Sequence, residues 1–152
     1  MTDKLDIIYM KEALKEASCA EESGNIPVGA VIVKENKIIA RGRNARYSEK
    51  DPIAHAEVRA IQEASRVIGD WRCLDTTLYV TLEPCLMCIG AIINARISRL
   101  VFGTWDERFG ALSLYNIDQN NLTNHKFEVT SEVLQEECAK ILKDFFQKIR
   151  RV

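Results

Sequence analysis

Two β-rich runs, residues 28–34 and 37–42, stand only two residues apart across Glu35-Asn36. So short a connection permits an antiparallel hairpin and little else, because a parallel return needs a crossover of a dozen residues or more. The rest of the chain must be built around that hairpin. Before it, Ile7, Met10, Leu14 and Ala17 recur at helical spacing and Gly24-Asn25 marks a stop, which predicts a helix over residues 4–22. After it, Asp51-Pro52 reads as an N-cap and first-turn pair, with Val58, Ile61, Ala64 and Ile68 as the apolar stripe of a helix running from Pro52 or Ala54 to Ile68. Residues 77–82 read as a strand that Pro84 ends, 86–95 as a helix, and 99–103 as a further strand. Thr130 and Ser131 read as caps of a last helix carrying Val133, Leu134, Ala139, Ile141-Leu142 and Phe145-Phe146. Residues 104–128 leave two options open, a short helix or a strand, followed by a polar loop around Gln119-Asn120-Asn121.

The order helix, hairpin, helix, strand, helix, strand, helix predicts an α/β fold, a three-layer α/β/α sandwich. No repeat or linker-like stretch divides the chain, so residues 1–152 read as a single domain. At that length a core can form without disulfide staples. With 47% hydrophobic and 28% charged residues, 7 glycines and 3 prolines, collagen-like, low-complexity and disordered readings are excluded. The longest apolar runs, such as 28–33, fall far short of a membrane span, and the N-terminus lacks the basic flank and apolar stretch of a signal peptide. The expected location is therefore cytoplasmic, with no membrane partner. A net charge of −1 carries no global signature of nucleic-acid binding, although residues 140–152 hold five basic side chains against one acid.

Five cysteines in such a chain do not suggest a disulfide framework; an odd count in a reducing compartment points to buried thiols, metal ligands or a reactive site. Cys19, Cys73 and Cys138 read as small buried apolar residues. The close pair is Cys85-Leu86-Met87-Cys88, and one of the two histidines lies in His55-Ala56-Glu57. Alone, the cysteine pair is equally a redox dithiol or half of a structural zinc knuckle, and a His-x-Glu triplet occurs by chance. Together they supply one imidazole and two thiolates, three protein ligands that leave a tetrahedral zinc one open position. Two thiolates and a neutral imidazole bring the ion to zero net charge, so its water is acidified less than in a tris-histidine site. A neighbouring carboxylate is then needed to take the proton, and Glu57 is the candidate. Both ligand sets lie at predicted helix N-termini, where the helix dipole favours thiolate. Residues two apart on a regular helix point to nearly opposite sides, so His55 and Glu57 share one metal site only in an irregular first turn, or with Glu57 reaching round from outside the ligand shell. His125 reads as a structural hydrogen-bonding residue. Arg96, Arg99, Lys148, Arg150 and Arg151 read as surface charges before phosphate contacts. Trp71, Trp105 and Phe145-Phe146 read as core or interface aromatics before base-stacking platforms.

The same His-x-Glu and Pro-Cys-x-x-Cys combination is the signature of the zinc nucleobase deaminases. More specifically, Asp51-Pro52-Ile53-Ala54-His55-Ala56-Glu57 and Leu78-Tyr79-Val80-Thr81-Leu82-Glu83-Pro84-Cys85-Leu86-Met87-Cys88 closely resemble the bacterial tRNA-specific adenosine deaminases, of the cytidine/deoxycytidylate deaminase superfamily. Gly90-Ala91-Ile92, Ala95-Arg96-Ile97, Val101-Phe102-Gly103, Asn124-His125, Glu128-Val129 and the closing Glu136-Glu137-Cys138-Ala139 with Phe145-Phe146 extend the likeness over nearly the whole chain.

The resemblance implies a cytidine deaminase-like fold, a mixed five-stranded sheet flanked by helices, and a homodimer. It also implies hydrolysis of the wobble adenosine of a tRNA anticodon stem-loop to inosine. In its terms His55, Cys85 and Cys88 bind one Zn2+ per subunit, Glu57 shuttles protons, and Asn44 holds the flipped base. Ala56, the Pro27-Val28-Gly29 turn and Pro84 help line the pocket, and Asp106 lies near the nucleotide backbone. Two departures stand out: Ala45 where the family often has arginine, and Ala111-Leu112-Ser113-Leu114-Tyr115 in place of a small glycine-containing loop. A deaminase of a free base or nucleotide, guanine foremost, is the alternative that keeps the same zinc site. A non-catalytic, zinc-stabilised RNA-binding or subunit protein is the second, and retention of Glu57 speaks against it.

Overall fold

The hairpin forms as its spacing requires: strands β1 (Gly29–Lys34) and β2 (Lys37–Arg43) pair antiparallel. Glu35 and Asn36 between them both take positive φ, 52° and 60°, the backbone that a tight two-residue connection between right-twisted strands demands. The computed structural model describes residues 3–115 and 124–150. Within them β1, β2, β3 (Thr77–Leu82), β4 (Arg99–Thr104) and β5 (Glu128–Thr130) form one mixed sheet in the order β2-β1-β3-β4-β5. β1 runs antiparallel to both of its neighbours, whereas β3, β4 and β5 are parallel.

Helices α1 (Lys4–Glu22) and α6 (Gln135–Arg150) cover one face of the sheet; α3 (Ala56–Ile68) and α4 (Leu86–Ala95) cover the other. Met10, Ala13, Val31, Tyr79, Val101, Val133 and Cys138 fill the first interface. Ile32, Leu78, Val80, Ile89, Ile92, Leu100 and Phe102 fill the second. Two helices sit so close to the hairpin that only glycine fits beneath them. A β-carbon on Gly29 would run into the backbone of Ala13 and Ala17 in α1, and one on Gly42 into Ala56 and Ala60 in α3. The first turn of α3 therefore lies directly on β2.

The helix starts differ from the sequence reading in two places. Asp51-Pro52 does not cap α3: the Asp51 carboxylate accepts from the Ile53 N–H at 2.9 Å, closing a turn, and α3 begins at Ala56 with His55 as its cap. The Ala45 N–H donates to the Ala54 carbonyl at 2.9 Å, which holds this segment out of the helix. The face of α3 buried against the sheet is Ala56, Ala60 and Ala64, with Val58, Ile61 and Ile68 only half-buried at its margin. Thr130 and Ser131 do not cap the last helix either. Thr130 ends β5, paired with Val101, and two positive-φ residues, Glu132 and Leu134, redirect the chain before α6 starts at Gln135. Val133 and Leu134 accordingly precede the helix, with Val133 fully buried. Among the described residues, two short helices complete the order, α2 (Arg46–Glu49) and α5 (Ala111–Tyr115). Sequence patterning gave no sign of α2; Asn25 accepts from its Tyr47 and Ser48 N–H groups, both at 3.0 Å. The polar loop expected around Gln119-Asn120-Asn121 lies outside the described residues, as does Arg151.

On the α1 side the sheet carries a buried ionic network. Arg99 donates to both oxygens of Asp6 at 2.9 and 2.8 Å, and the Tyr79 hydroxyl donates to Asp6 Oδ1 at 2.7 Å. Arg99 also donates to Thr130 Oγ1 at 2.9 Å, tying α1, β3, β4 and β5 together. Burial alone would raise the Asp6 carboxyl, but the hydrogen bonds from Arg99 and Tyr79 and the guanidinium charge hold it below its usual range. A carboxylate held low stabilises the fold above its unfolded pKa and loses that contribution as pH falls through the folded value. Asp6→Asn is expected to cost about 2 kcal/mol at neutral pH, the loss of charge-assisted bonds around a half-buried arginine. The cost should shrink in urea melts run at pH values below 3.8, the ordinary value for this carboxyl. Equal stability of variant and parent at neutral pH would refute it.

Candidate metal centre and the cleft beside it

His55 and Cys85 occupy equivalent places in the fold, each in extended backbone as the N-cap of a helix that follows a strand or turn. Neither uses its side chain to cap. Both side chains turn towards each other instead. Cys85 Sγ lies 3.6 Å and Cys88 Sγ 3.4 Å from His55 Nδ1, and the ligand atoms of all three residues fall within 4.8 Å of one another. Cys88 stands one turn into α4 and is fully buried. Because His55 precedes the helix, with φ −82° and ψ 153°, and Glu57 lies in its first turn, both reach the same side of α3. The irregular start resolves the conflict that regular helix geometry poses.

Glu57 is only 4% exposed. Burial pushes its carboxyl up to about 7, opposed by its own backbone N–H and by the His55 imidazole. The hydrogen bond with Cys88, and then His55, bring the Cys85 thiol down to about 4. Cys88 is held high, by its bond with Cys85, by burial and by the Glu57 charge. The hydrogen bond with Cys85 raises His55. The fold thus moves all four groups of this cluster away from their ordinary proton affinities.

The cluster opens on a cleft of about 390 Å3 at the carboxyl end of β3, lined by His55, Glu57 and Cys85 together with Ile26, Val28, Asn44, Arg46, Ala56, Leu82, Glu83, Asp106 and Phe109. The strand order places it there. β1 begins and β2, β3 and β4 end at this edge of the sheet, so the residues before β1 and after β2, β3 and β4 converge. Asn44 is 8% exposed; its amide Nδ2 donates to the Ile26 carbonyl at 3.1 Å and its Oδ1 accepts from Arg46 N–H at 3.2 Å. The Asp106 carboxylate accepts from the N–H groups of Arg108 and Phe109 at 3.0 and 3.1 Å, the capping geometry of a turn.

Of the residues singled out in the sequence, His55, Ala56, Glu57, Cys85, Val28, Asn44 and Asp106 line this cleft. Pro27, Gly29 and Pro84 do not line it; all three are buried. The Gly29 N–H donates to Thr81 Oγ1 at 3.2 Å, and the Pro84 carbonyl accepts from Ala111 N–H at 3.0 Å. Patterning missed Ile26, Arg46, Leu82, Glu83 and Phe109 as lining residues. Arg46, two places after Asn44, offered a signal, as did Leu82 and Glu83 in the run leading into Pro84-Cys85. His125 Nε2 lies 2.6 Å from the Ile97 carbonyl, in keeping with a structural role. Arg99 is committed to Asp6, and Lys148 approaches Glu21 at 3.6 Å. Trp71, expected in a core or interface, is 61% exposed, with the guanidiniums of Arg72 and Arg96 each 5.6 Å from its ring centroid. Cys73 and Cys138 are buried as expected, while Cys19 is half-buried.

Residues 4–150 match the MafB19-like deaminase family. Over 147 residues the chain is 49% identical to the tRNA-specific adenosine deaminase of Bacillus subtilis (strain 168), covering 96% of this chain and 91% of that one. It is 45% identical over 150 residues to the enzyme of the same name from Buchnera aphidicola subsp. Schizaphis graminum, covering 99% of each. Among solved structures, one from work on A-to-I editing by tRNA:A34 deaminases at the wobble position of transfer RNA superimposes with a TM-score of 0.83 at 38% identity, over 89% of this chain and 99% of that one. A guanine deaminase from Nitrosomonas europaea shares the fold, with a TM-score of 0.76 at 20% identity over 95% of this chain and 85% of that one.

Proposed function

The chain belongs to the MafB19-like deaminases and to the tRNA-specific adenosine deaminases, and from that premise we propose that it hydrolyses the wobble adenosine of a tRNA anticodon to inosine. The observation that carries the chemistry is a buried carboxylate, Glu57, beside a His55-Cys85-Cys88 donor set at the cleft. Residues 1–152 act as one zinc-dependent deaminase domain. One imidazole nitrogen and two sulfurs within 4.8 Å of one another are a donor set that suits Zn2+, one ion per subunit, and three protein ligands leave a tetrahedral ion one position. When bound, the ion supplies Lewis-acid activation of a water.

The chain's own residues do the rest. Glu57 takes a proton from the attacking water at its carboxylate and gives it to N1 of the adenine as C6 is attacked; it then takes the remaining proton from the new C6 hydroxyl and gives it to the departing amine. Water is consumed and ammonia released. A carboxyl raised by burial is suited to both accepting and returning a proton near neutrality. Asn44 spends one N–H and one lone pair on Ile26 and Arg46, which leaves one of each for the edge of a flipped base. Ala56 and Val28 wall the base, with Pro27, Gly29 and Pro84 holding that wall from behind, and Asp106 shapes the turn beside the nucleotide backbone. An anticodon loop lowers the cost of flipping because its bases are already unpaired.

The protein works as a homodimer in the cytoplasm, on the anticodon stem-loop. The exposed apolar side chains of Ile53 and Leu86, near the two ligand-bearing helix starts, support the first point, and five free cysteines suit a reducing compartment. Among the described residues no helix is long and apolar enough to cross a membrane.

The deciding assay is mass spectrometry of the purified protein against an adenosine-bearing anticodon stem-loop, free adenosine, guanine and cytidine. Inosine in the stem-loop alone is the expected result. Turnover of guanine, with the stem-loop untouched, would replace the substrate and keep the site.

A further inference from the structure

Glu83 is 2% exposed, and among the described residues every hydrogen-bond donor to its carboxylate comes from one stretch, the loop after β4 and the α5 helix that follows it. Oε1 accepts from the Asp106 N–H at 3.0 Å and the Ser113 hydroxyl at 2.9 Å, and Oε2 accepts from the Ser113 N–H at 2.7 Å. The start of the loop, at Asp106, and the helix that closes it, at Ser113, are thus held by a single buried group at the corner between β3 and α4, two residues before Cys85. The loop is closed further from within. Asp106 accepts from Phe109 and Arg108 through its carboxylate, and from Gly110 through its carbonyl at 3.0 Å. Gly110 pairs with Cys85 as an isolated bridge, and a β-carbon there would strike the Glu83 carboxylate. At the tip of this braced loop stands Phe109, 67% exposed, lining the cleft, and outside the aromatic pairs found among the described residues.

An exposed ring on a flexible tip would carry little information. A ring held beside a metal-ligand site by three hydrogen bonds to a buried carboxylate is pre-organised, so its ordering cost is met before any ligand arrives. Phe109 stands at the margin of the cleft on the β4 side, across the end of β3 from Ile26 and Val28. We propose that Phe109 is the stacking platform for the RNA base next to the flipped adenosine, and that Glu83 is a positioning residue that holds it there. This rests on the RNA reading given above.

The test is steady-state deamination of the anticodon stem-loop by Phe109→Ala, Glu83→Gln and the double variant, with zinc content and amide exchange measured on each. Glutamine keeps the volume of Glu83, but its amide nitrogen cannot accept from the loop. Phe109→Ala is expected to raise KM about tenfold, the lower range of base–aromatic stacking, with kcat within about twofold of the parent. Glu83→Gln should raise KM similarly and speed exchange at the Asp106 and Ser113 amides, which Phe109→Ala leaves protected. If Glu83 acts through Phe109, the double variant is no worse than either single one. Additive losses, or a fall in zinc content with Glu83→Gln, would make Glu83 merely structural and overturn its part. An unchanged KM in Phe109→Ala, with the parent active on the stem-loop, would overturn the platform alone. A parent that never deaminates the stem-loop would overturn the RNA reading and this inference with it.

Discussion

A Glu57→Gln variant is expected to keep its fold and its metal and to lose about 10²–10⁴-fold in kcat, the usual worth of a positioned proton-transfer group. The substitution is close to isosteric, and Glu57 is 4% exposed, so packing around it changes little. What it removes is the ability to take up and return a proton. Inosine formation in the stem-loop and zinc content should be measured on the same preparation. Turnover within tenfold of the parent would mean that another group moves the protons, and the only other histidine, His125, lies against the Ile97 carbonyl. Loss of turnover with unaltered RNA affinity would also dispose of the non-catalytic alternative, in which Glu57 has no task.

Cys88→Ala is expected to bring metal content from about one equivalent to almost none and to abolish turnover. Cys88 is fully buried, and its removal leaves His55 and Cys85 as two ligands where a closed grip needs three. The loss should also appear in stability. A ligand that binds only the folded chain, present at 100–1,000 times its dissociation constant, stabilises by about 3–4 kcal/mol. The variant should therefore unfold in urea where the chelator-treated parent does, well before the metal-loaded parent. A variant that retains a full equivalent of zinc would show that the metal sits elsewhere.

Much of the fold and the centre of the site was legible because the signals are local. The hairpin follows from two β-rich runs separated by two residues, and α1 and α4 begin and end as their patterns indicate. His55, Glu57, Cys85 and Cys88 stand out because each half of the motif is a short local run at a helix start. The errors share the opposite cause. Thr130 carries a sound capping signal, yet it pairs with Val101 of β4, and a ladder place outweighs a cap. Asp51 likewise spends its carboxylate on a turn, since Ala45 ties the next residues to α2. α2 itself has four residues and depends on Asn25, more than twenty positions earlier.

Taken by itself, the sequence carried the alternation of elements in its periodicity and propensity, the likeness to the deaminases in its motifs, and the short spacings that single out His55, Glu57, Cys85 and Cys88 as candidates. The tertiary structure alone decided how those residues face one another and what surrounds them. His55 and Glu57 share a side only because α3 starts at Ala56, pressed onto Gly42 of β2. Glu83 is an ordinary glutamate before a proline until folding brings Asp106 and Ser113, 23 and 30 residues away, against its carboxylate. Burial and long-range hydrogen bonds are properties of the packed chain, and no local pattern encodes them.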